Sequence, residues 1–390
     1  MTSGWKISGS PRSCCPGHRV SGAKMNKGCL KKIAIFIYIL FNMRTAKTTA
    51  TILCACILLQ VSAQEKEDKL FQDTKPLNIA LKVSISQVKD NTGDSLYEAH
   101  VLYYKDGKET YDSVKTEMKV RGKFRLENCY FPPLGLKFQK ADVKGTLLEG
   151  NKSLKLVMPC KSQSSSNNLV VREFVCYKLY EILTPYCLKT RLVNLDFTEE
   201  QRKKEKNFQL KGILIENADK AAKRLNGKML GNITATPNVL QDTTDLVVSL
   251  FQYMISNTDW SSMYQHNIKL MQRGKQDPLI PITYDFDMAG LVDAPYAVVS
   301  ETGGGDAIGE QNSVRDRLYR GWCRPDNVTQ YVRRDFISKE QKMFAAVDAL
   351  KDELPPKDIE SIKAYLGQFF KTLKDDASFR RLVTSQCRQN

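Results

Sequence analysis

Histidine and tryptophan are scarce, with three of each among the 390 residues of the chain. The sequence also has no Cys-x-x-Cys pair and no cluster of histidines, so it lacks the ligand spacing of a zinc site. Its apolar runs are shorter than the roughly 20 residues that a helix needs to cross a bilayer. We therefore expect neither a zinc domain nor a stable membrane span in the mature protein.

Acidic residues are absent from residues 1–63, which carry nine Lys and Arg. The other 327 residues hold 50 Lys and Arg against 43 Asp and Glu, without a long basic run. The formal charge of +16 is therefore concentrated at the N-terminus, and nucleic-acid binding is not expected. With 26% charged residues and 16 each of Phe and Tyr, the rest has the composition of a globular protein.

The segment that begins at Met43 has the pattern of a cleaved secretory signal. Two basic residues, a short apolar core at residues 50–59 and the sequence Val-Ser-Ala precede Gln64. We expect Met43 to be the true start, residues 1–63 to comprise upstream sequence and signal, and cleavage to follow Ala63. The mature protein would then be secreted or periplasmic.

Two alternatives to cleavage stay open. One is a longer signal anchor that also uses the apolar run at residues 33–41, and the other is a lipoprotein attached through Cys56. Six cysteines follow Ala63, which permits disulfides in an exported protein but allows 15 pairings. Cys176 lies in a helical pattern, where we expect a small buried side chain rather than a bridge.

Three segments follow the signal. Residues 64–76 are polar and are expected to form a disordered lead-in. Residues 77–216 show mainly the two-residue alternation of strands, with one long helix that begins at Asn167 or Asn168 and ends near Leu183, before a proline. Residues 217–390 are mostly helical, and the later helices are expected at about 310–320, 326–352, 356–374 and 376–386. This order predicts an α+β protein.

Glu173 lies in the middle of the apolar face of the long helix, at about 100° of rotation per residue. A carboxylate in that position is desolvated and needs a partner to remain charged. The sequence therefore predicts a desolvated Glu173 that requires a partner if it is to stay charged.

Three polar residues between 255 and 290 form the clearest chemical pattern. Asp259 lies in a loop after a predicted helix, Asn267 begins a strand, and Asp285 follows the next strand. If the two strands form a hairpin, Asn267 and Asp285 meet at one end, with Asp259 in the loop that leads to it. Amide and carboxylate oxygens suit Mg²⁺ or Mn²⁺, which bind through phosphates. A base Asp, a metal-binding Asn and a metal-binding Asp follow in this order in kinase catalytic loops.

Each of the neighbouring polar residues has two interpretations. His266 contacts the substrate or orients the loop, although a structural hydrogen bond is the commoner role of such a histidine. Asp287 is a second metal ligand or caps the turn before Gly290. Four arginines then either bind an acidic substrate or form a solvated basic face: Arg315, Arg317, Arg320 and Arg324.

The sequence NTDWSSMYQHN at residues 257–267, followed by YDFD at residues 284–287, resembles the motif of the CotH (spore coat protein H) family of secreted atypical kinases. Further matches in the same order lie at residues 120–122, 171–173 and 211–216. The spacing of eight residues from the Asp to the Asn fits this family, whereas ordinary protein kinases have five.

The resemblance implies a two-lobed protein-kinase-like fold, with a β-rich N-terminal lobe over residues 77–216 and a helix-rich C-terminal lobe over residues 217–390. It also implies that Asp259 is the catalytic base and that the γ-phosphoryl group of ATP is transferred, with Mg²⁺ or Mn²⁺, to a protein hydroxyl in the envelope or outside the cell.

Kinase order implies further cofactor-binding residues. Lys155 takes the position of the phosphate-binding lysine, with Glu173 as its partner; an ordinary ion pair of Glu173 with Lys155 or Arg121 is the alternative. Arg121 belongs to the family's Arg-Gly element. Glu216 lies at the hinge that binds adenine, or is a solvated strand end.

Two other functions stay open. A catalytically inactive member would be an envelope scaffold or binding protein, although a scaffold does not need all three of Asp259, Asn267 and Asp285. A metal-dependent phosphoester hydrolase could use the same acidic residues.

Overall fold

A computed structural model describes residues 68–90, 98–201, 204–299 and 311–389. The chain divides into two units, Met1–Lys66 and Glu67–Asn390, and every described residue belongs to the second unit. The predicted signal, its cleavage site after Ala63 and the alternative lipoprotein residue Cys56 lie outside the described residues.

The described residues form ten strands and nine α-helices. The strands are β1 Leu77–Val83, β2 Glu98–Lys105, β3 Asp112–Val120, β4 Leu134–Lys137, β5 Ser153–Val157, β6 Thr190–Gln201, β7 Lys204–Glu216, β8 Lys228–Met229, β9 Ile268–Gln272 and β10 Ile280–Thr283. The helices are α1 Ile85–Asp90, α2 Lys123–Asn128, α3 Lys140–Val143, α4 Ser166–Leu183, α5 Ala218–Arg224, α6 Asp242–Ile255, α7 Asp326–Asp348, α8 Pro356–Lys374 and α9 Asp376–Leu382.

The first seven strands close into a barrel in the order β1-β2-β3-β4-β5-β7-β6. β1 pairs antiparallel with β2 and parallel with β6, from Leu77 opposite Val193 to Val83 opposite Glu199. Alternate residues of β1 are buried, as expected for a strand with one face inside a barrel. β8, β9 and β10 form a separate three-stranded sheet.

This architecture overturns the expected two-lobed protein-kinase-like fold. Because β1 pairs on both sides, the N-terminal strands enclose a core of their own instead of forming the open sheet of a β-rich lobe. The outer side of the barrel is not separate from the helices: Val157, Leu192 and Ile213 share one apolar core with α4 and the C-terminal helices. The fold is a closed barrel with helices packed against it.

α4 is buried on almost all sides, because the barrel and the C-terminal helices pack around it. Its bounds, Ser166–Leu183, match the predicted helix within two residues. Cys176 is fully buried and unbridged, which confirms that expectation. Arg172 is also buried and donates to the carbonyl oxygens of Leu291 and Val292.

Two expectations about local structure are wrong, one of a disordered segment and one of a helix. Residues 68–76 do not form a disordered lead-in, because Lys69–Phe71 forms a 3-10 helix whose Leu70 is fully buried and accepts a hydrogen bond from Arg191. Residues 311–320 contain no helix. The two long helices that follow, α7 and α8, lie where the sequence predicts them.

Two disulfides join four of the six later cysteines, Cys129 to Cys160 and Cys323 to Cys387. The other two, Cys176 and Cys187, are free and buried. In the described part of the chain, no helix combines the length and apolar character needed to cross a bilayer.

Candidate functional site

The hairpin of β9 and β10 brings Asn267 and Asp285 to one end, as predicted. Ile268 pairs with Thr283, and the amide of Tyr284 donates to the carbonyl oxygen of Asn267 at 3.1 Å. Asn267 and Asp285 are therefore one residue out of register at the open end of the hairpin. Both have a left-handed backbone, with φ of 50° and 65°, which Asn and Asp adopt more readily than most residues.

Asp259 lies beside Asn267 at this end. The side-chain nitrogen Nδ2 of Asn267 donates to the backbone carbonyl oxygen of Asp259 at 2.8 Å. It also donates to Oδ2 of the Asp259 carboxylate at 3.0 Å. Asp259 follows α6, and its own amide donates to the side chain of Asn257 at 3.0 Å. Since the nitrogen of the Asn267 amide is engaged with Asp259, its oxygen Oδ1 is the atom left for a cation.

His266 contacts the other carboxylate oxygen of Asp259. Its Nε2 lies 2.7 Å from Oδ1, and the backbones of His266 and Ser261 form a bridge that closes the loop. The hydrogen bond with Asp259 raises the pKa of His266, because the carboxylate favours the charged imidazolium. The structure thus gives His266 the orienting contact that one interpretation of the sequence describes, while its side chain stays 41% exposed.

Asp285 contacts two elements besides the hairpin. Lys155 Nζ, on β5, lies 3.0 Å from Oδ1 of Asp285. The backbone amide of Asp285 donates to the hydroxyl of Tyr177, on α4, at 3.0 Å. The predicted ion pair of Lys155 with Glu173 is therefore wrong, because the lysine reaches Asp285 instead. Burial raises the pKa of Glu173, and Lys155 is still near enough for its charge to oppose that rise.

Behind Asp285 lies a buried group of Asp287, Glu173 and Arg125. Arg125 Nη1 is 4.0 Å from Asp287 Oδ2, and the Tyr296 hydroxyl donates to the same oxygen at 3.4 Å. Burial, and then the charge of Asp285, raise the pKa of Asp287 to about 6. Burial, and then Asp287, raise the pKa of Glu173 to about 8. Glu173 Oε1 has no hydrogen-bond partner among the described atoms.

Arg125 is a buried cation near Glu173 that the sequence did not predict, since it favoured Lys155 or Arg121 as the partner. It is 7% exposed and lies on the six-residue helix α2, just after the Arg121-Gly122 turn. Burial raises the pKa of Glu173, and the charge of Arg125 opposes that rise more strongly than the charge of Lys155 does. A helix this short shows no apolar periodicity, so nothing in the sequence marks Arg125 as buried.

A cavity of about 370 Å³ opens beside Asp285, between the barrel and the β9–β10 hairpin. Three cationic side chains line it: Lys155, Arg121 and Lys269. In the described part of the chain, Arg121 and Lys269 have no carboxylate partner, and Lys269 Nζ lies 5.8 Å from the Tyr284 ring centre. Apolar side chains form other parts of the wall: Leu154, Leu188, Ile215 and Ala218.

Glu216 also lines the cavity, but it is not a solvated strand end. It is 3% exposed, and Arg224 Nη2 donates to its Oε2 at 2.8 Å. The amide of Lys189 donates to the same oxygen at 3.0 Å. Because the carboxylate is engaged by protein groups, only the strand backbone and neighbouring side chains would face a ligand there.

Each of the four arginines between residues 315 and 324 is engaged by other parts of the protein, and one of them holds the loop that carries Asp259. Arg320 donates to the carbonyl oxygen of Thr258 at 2.9 Å, and Arg317 donates to that of Met254 at 3.1 Å. Arg315 pairs with Asp293, and Arg324 pairs with Asp242 and Asp245. They form neither a solvated basic helix face nor an open anion site.

The donor atoms suit a hard divalent cation bound largely through a ligand's phosphates. Asn267 and Asp285 supply an amide and a carboxylate oxygen, with Asp287 behind them. Within the described ranges, no group of three or more His, Cys, Asp or Glu side chains could hold a metal. Mg²⁺ commonly binds through one or two carboxylates together with phosphate oxygens and water, which matches this set.

No protein-family model matches the chain, and no curated protein matches it.

Proposed function

We propose that the protein is an exported, ATP-dependent phosphotransferase that uses Mg²⁺ or Mn²⁺ to phosphorylate a hydroxyl of another protein. The observation that carries the proposal is that Asp259, Asn267 and Asp285 meet beside a cavity lined by Lys155, Arg121 and Lys269. The motif resembling the CotH family supports the same activity. The proposal does not depend on the two-lobed fold, which the closed barrel replaces.

The cavity combines the two surfaces that a nucleoside triphosphate needs. Arg121 and Lys269 are cations without a carboxylate partner in the described ranges, so they favour an anionic ligand. Leu154, Leu188 and Ile215 offer apolar area for a base. A phosphate tail near Lys155 would lie at the end of the cavity that holds Asp285.

Each residue of the site has a separate part in the proposed reaction. Asp259 accepts the proton of the acceptor hydroxyl, since a carboxylate with two hydrogen bonds still has lone pairs available. His266 and Asn267 fix its two oxygens. Lys155 balances the charge of Asp285 and is in reach of an incoming phosphate. A bound divalent metal would neutralise the charge that develops on the transferred phosphoryl group.

Export is part of the proposal. The signal-like sequence after Met43 supports it, and so do the two disulfides, which form in oxidising compartments. The acceptor would accordingly be a protein of the periplasm, the envelope or the cell exterior.

The test is transfer of label from ATP carrying a radioactive γ-phosphate to protein, with Mg²⁺ or Mn²⁺ and with a chelator as control. We expect metal-dependent labelling of the protein itself or of an envelope extract, and none with Asp285→Asn. Release of labelled phosphate without labelled protein would replace the proposal with a hydrolase. An absence of any ATP turnover would favour the scaffold.

A further inference from the structure

Tyr177 contacts the backbone of Asp285 in a way that the proposed reaction does not yet use. The Asp285 amide donates to the Tyr177 hydroxyl at 3.0 Å, and the tyrosine is 2% exposed. The ladder between β9 and β10 ends at Thr283, and the last backbone bond of the hairpin is donated by Tyr284. The Asp285 amide therefore depends on a side chain for its acceptor.

The left-handed backbone of Asp285 makes this hydrogen bond consequential. A φ of 65° is uncommon for residues other than glycine and persists where neighbouring contacts determine it. The Tyr177 hydroxyl supplies one such contact, directly at the residue whose carboxylate meets Lys155 at 3.0 Å. The position of that carboxylate thus follows from how Tyr177 is held.

Tyr177 is itself held firmly. Its ring lies 4.7 Å from the ring of Phe286, centre to centre, and Phe286 lies 5.4 Å from Phe251 of α6. Tyr177 also lies one helical turn after Glu173 on α4. The same buried helix therefore presents a carboxyl and a hydroxyl to the group of acidic residues at the end of the hairpin.

We infer that Tyr177 is a positioning residue for the metal-binding carboxylate of Asp285. The inference rests on the proposed function. The Tyr177 hydroxyl contacts the backbone amide of Asp285, and so fixes the backbone from which the Asp285 carboxylate projects. The expected signature is a changed dependence on the divalent metal, separate from any change in stability.

The test compares Tyr177→Phe with Tyr104→Phe. Tyr104 is an equally buried tyrosine of the barrel core, at 2% exposure, whose hydroxyl also accepts from a backbone amide, that of Leu147 at 3.3 Å. Each variant keeps its ring and loses one hydrogen bond, so both should lower the melting temperature by a similar amount. The measurement is ATP binding at a series of Mn²⁺ concentrations, with melting temperatures recorded in parallel.

We expect Tyr177→Phe to raise the Mn²⁺ concentration for half-maximal ATP binding about five- to tenfold, the loss expected for one hydrogen bond. Tyr104→Phe should leave that concentration unchanged. Equal Mn²⁺ dependence in the two variants and the wild type would overturn the inference and leave the proposed function standing. If the wild-type protein binds no ATP at any Mn²⁺ concentration, the proposed function fails and the inference fails with it.

Discussion

Replacing Glu173 with glutamine should stabilise the protein at neutral pH, although it removes an ionisable group that lies near two cations. Glu173 is 2% exposed, and burial with the charges of Asp287 and Asp285 raises its pKa from 4.5 to about 8. The folded protein therefore keeps this carboxyl protonated over a pH range in which the unfolded chain has released the proton. Glutamine is neutral in both states and has nearly the same shape.

The size of the effect follows from that difference in pKa. Between pH 4.5 and about 8, the unfolded chain binds fewer protons at this site, so wild-type stability falls with rising pH by about 1.4 kcal/mol per pH unit. The Glu173→Gln variant has no carboxyl at this position, so its stability should not show this fall with rising pH. At pH 7 the variant should accordingly gain roughly 3 kcal/mol relative to the wild type, and near pH 4.5 the two should differ by less than about 1 kcal/mol.

Urea titrations of both proteins at pH 4.5, 7 and 8 measure this directly. The matched control is Glu216→Gln, since Glu216 is a buried glutamate at 3% exposure that accepts from Arg224 at 2.8 Å. Removing the charge there weakens a charged hydrogen bond, so this variant should lose about 1.5–3 kcal/mol at pH 7. A Glu173→Gln variant that is destabilised equally at all three pH values would refute the reasoning, because Glu173 would then be ionised and paired.

The end of the hairpin, the pair of His266 with Asp259 and the Cys129–Cys160 disulfide each give a further prediction. Asp285→Asn should abolish metal-dependent nucleotide binding, whereas Asp259→Asn should retain binding and lose transfer by roughly 10²–10⁴-fold; equal loss of binding in both would contradict the separate roles. Because Asp259 raises the pKa of His266, the stability that this pair contributes should be present below pH 6.5 and lost as pH rises through the raised value. The melting temperature of His266→Gln should therefore depend less on pH above pH 6.5 than that of the wild type. The same pH dependence in both proteins would contradict a stabilising pair of His266 with Asp259. Replacing Cys129 and Cys160 by serine should cost about 3–4 kcal/mol in urea unfolding, for a loop of 31 residues, and a loss below about 1 kcal/mol would refute that bridge.

Local patterns in the sequence predict much of the site. The apolar runs on either side of a turn predict the hairpin, and the hairpin alone brings Asn267 and Asp285 together. The apolar face of α4 correctly predicts that Glu173 is buried. These inferences succeed because each depends on residues close together in the chain, where the periods of strands and helices determine which side chains share a face.

Contacts between distant segments could not be predicted in this way. The barrel closes through parallel pairing of β1 with β6, in which Asn78 lies opposite Asn194, and no local pattern links those strands. Lys155 could be placed near the acidic residues, but not assigned to Asp285 rather than Glu173. Tyr177 belongs to an apolar arc whose members look alike in sequence, and only the packed structure distinguishes its hydroxyl.

Calorimetric titration of ATP into the purified wild-type protein, with Mg²⁺, with Mn²⁺ and with a chelator, shows whether the cavity beside Asp285 binds ATP together with a divalent metal. We expect saturable binding of one ATP per chain with either metal, and weaker binding after Arg121→Met or Lys269→Met. Each variant removes one cation that lines the cavity and leaves Asp259 and Asp285 unchanged in the sequence. An absence of ATP binding with both metals would rule out the proposed phosphotransferase.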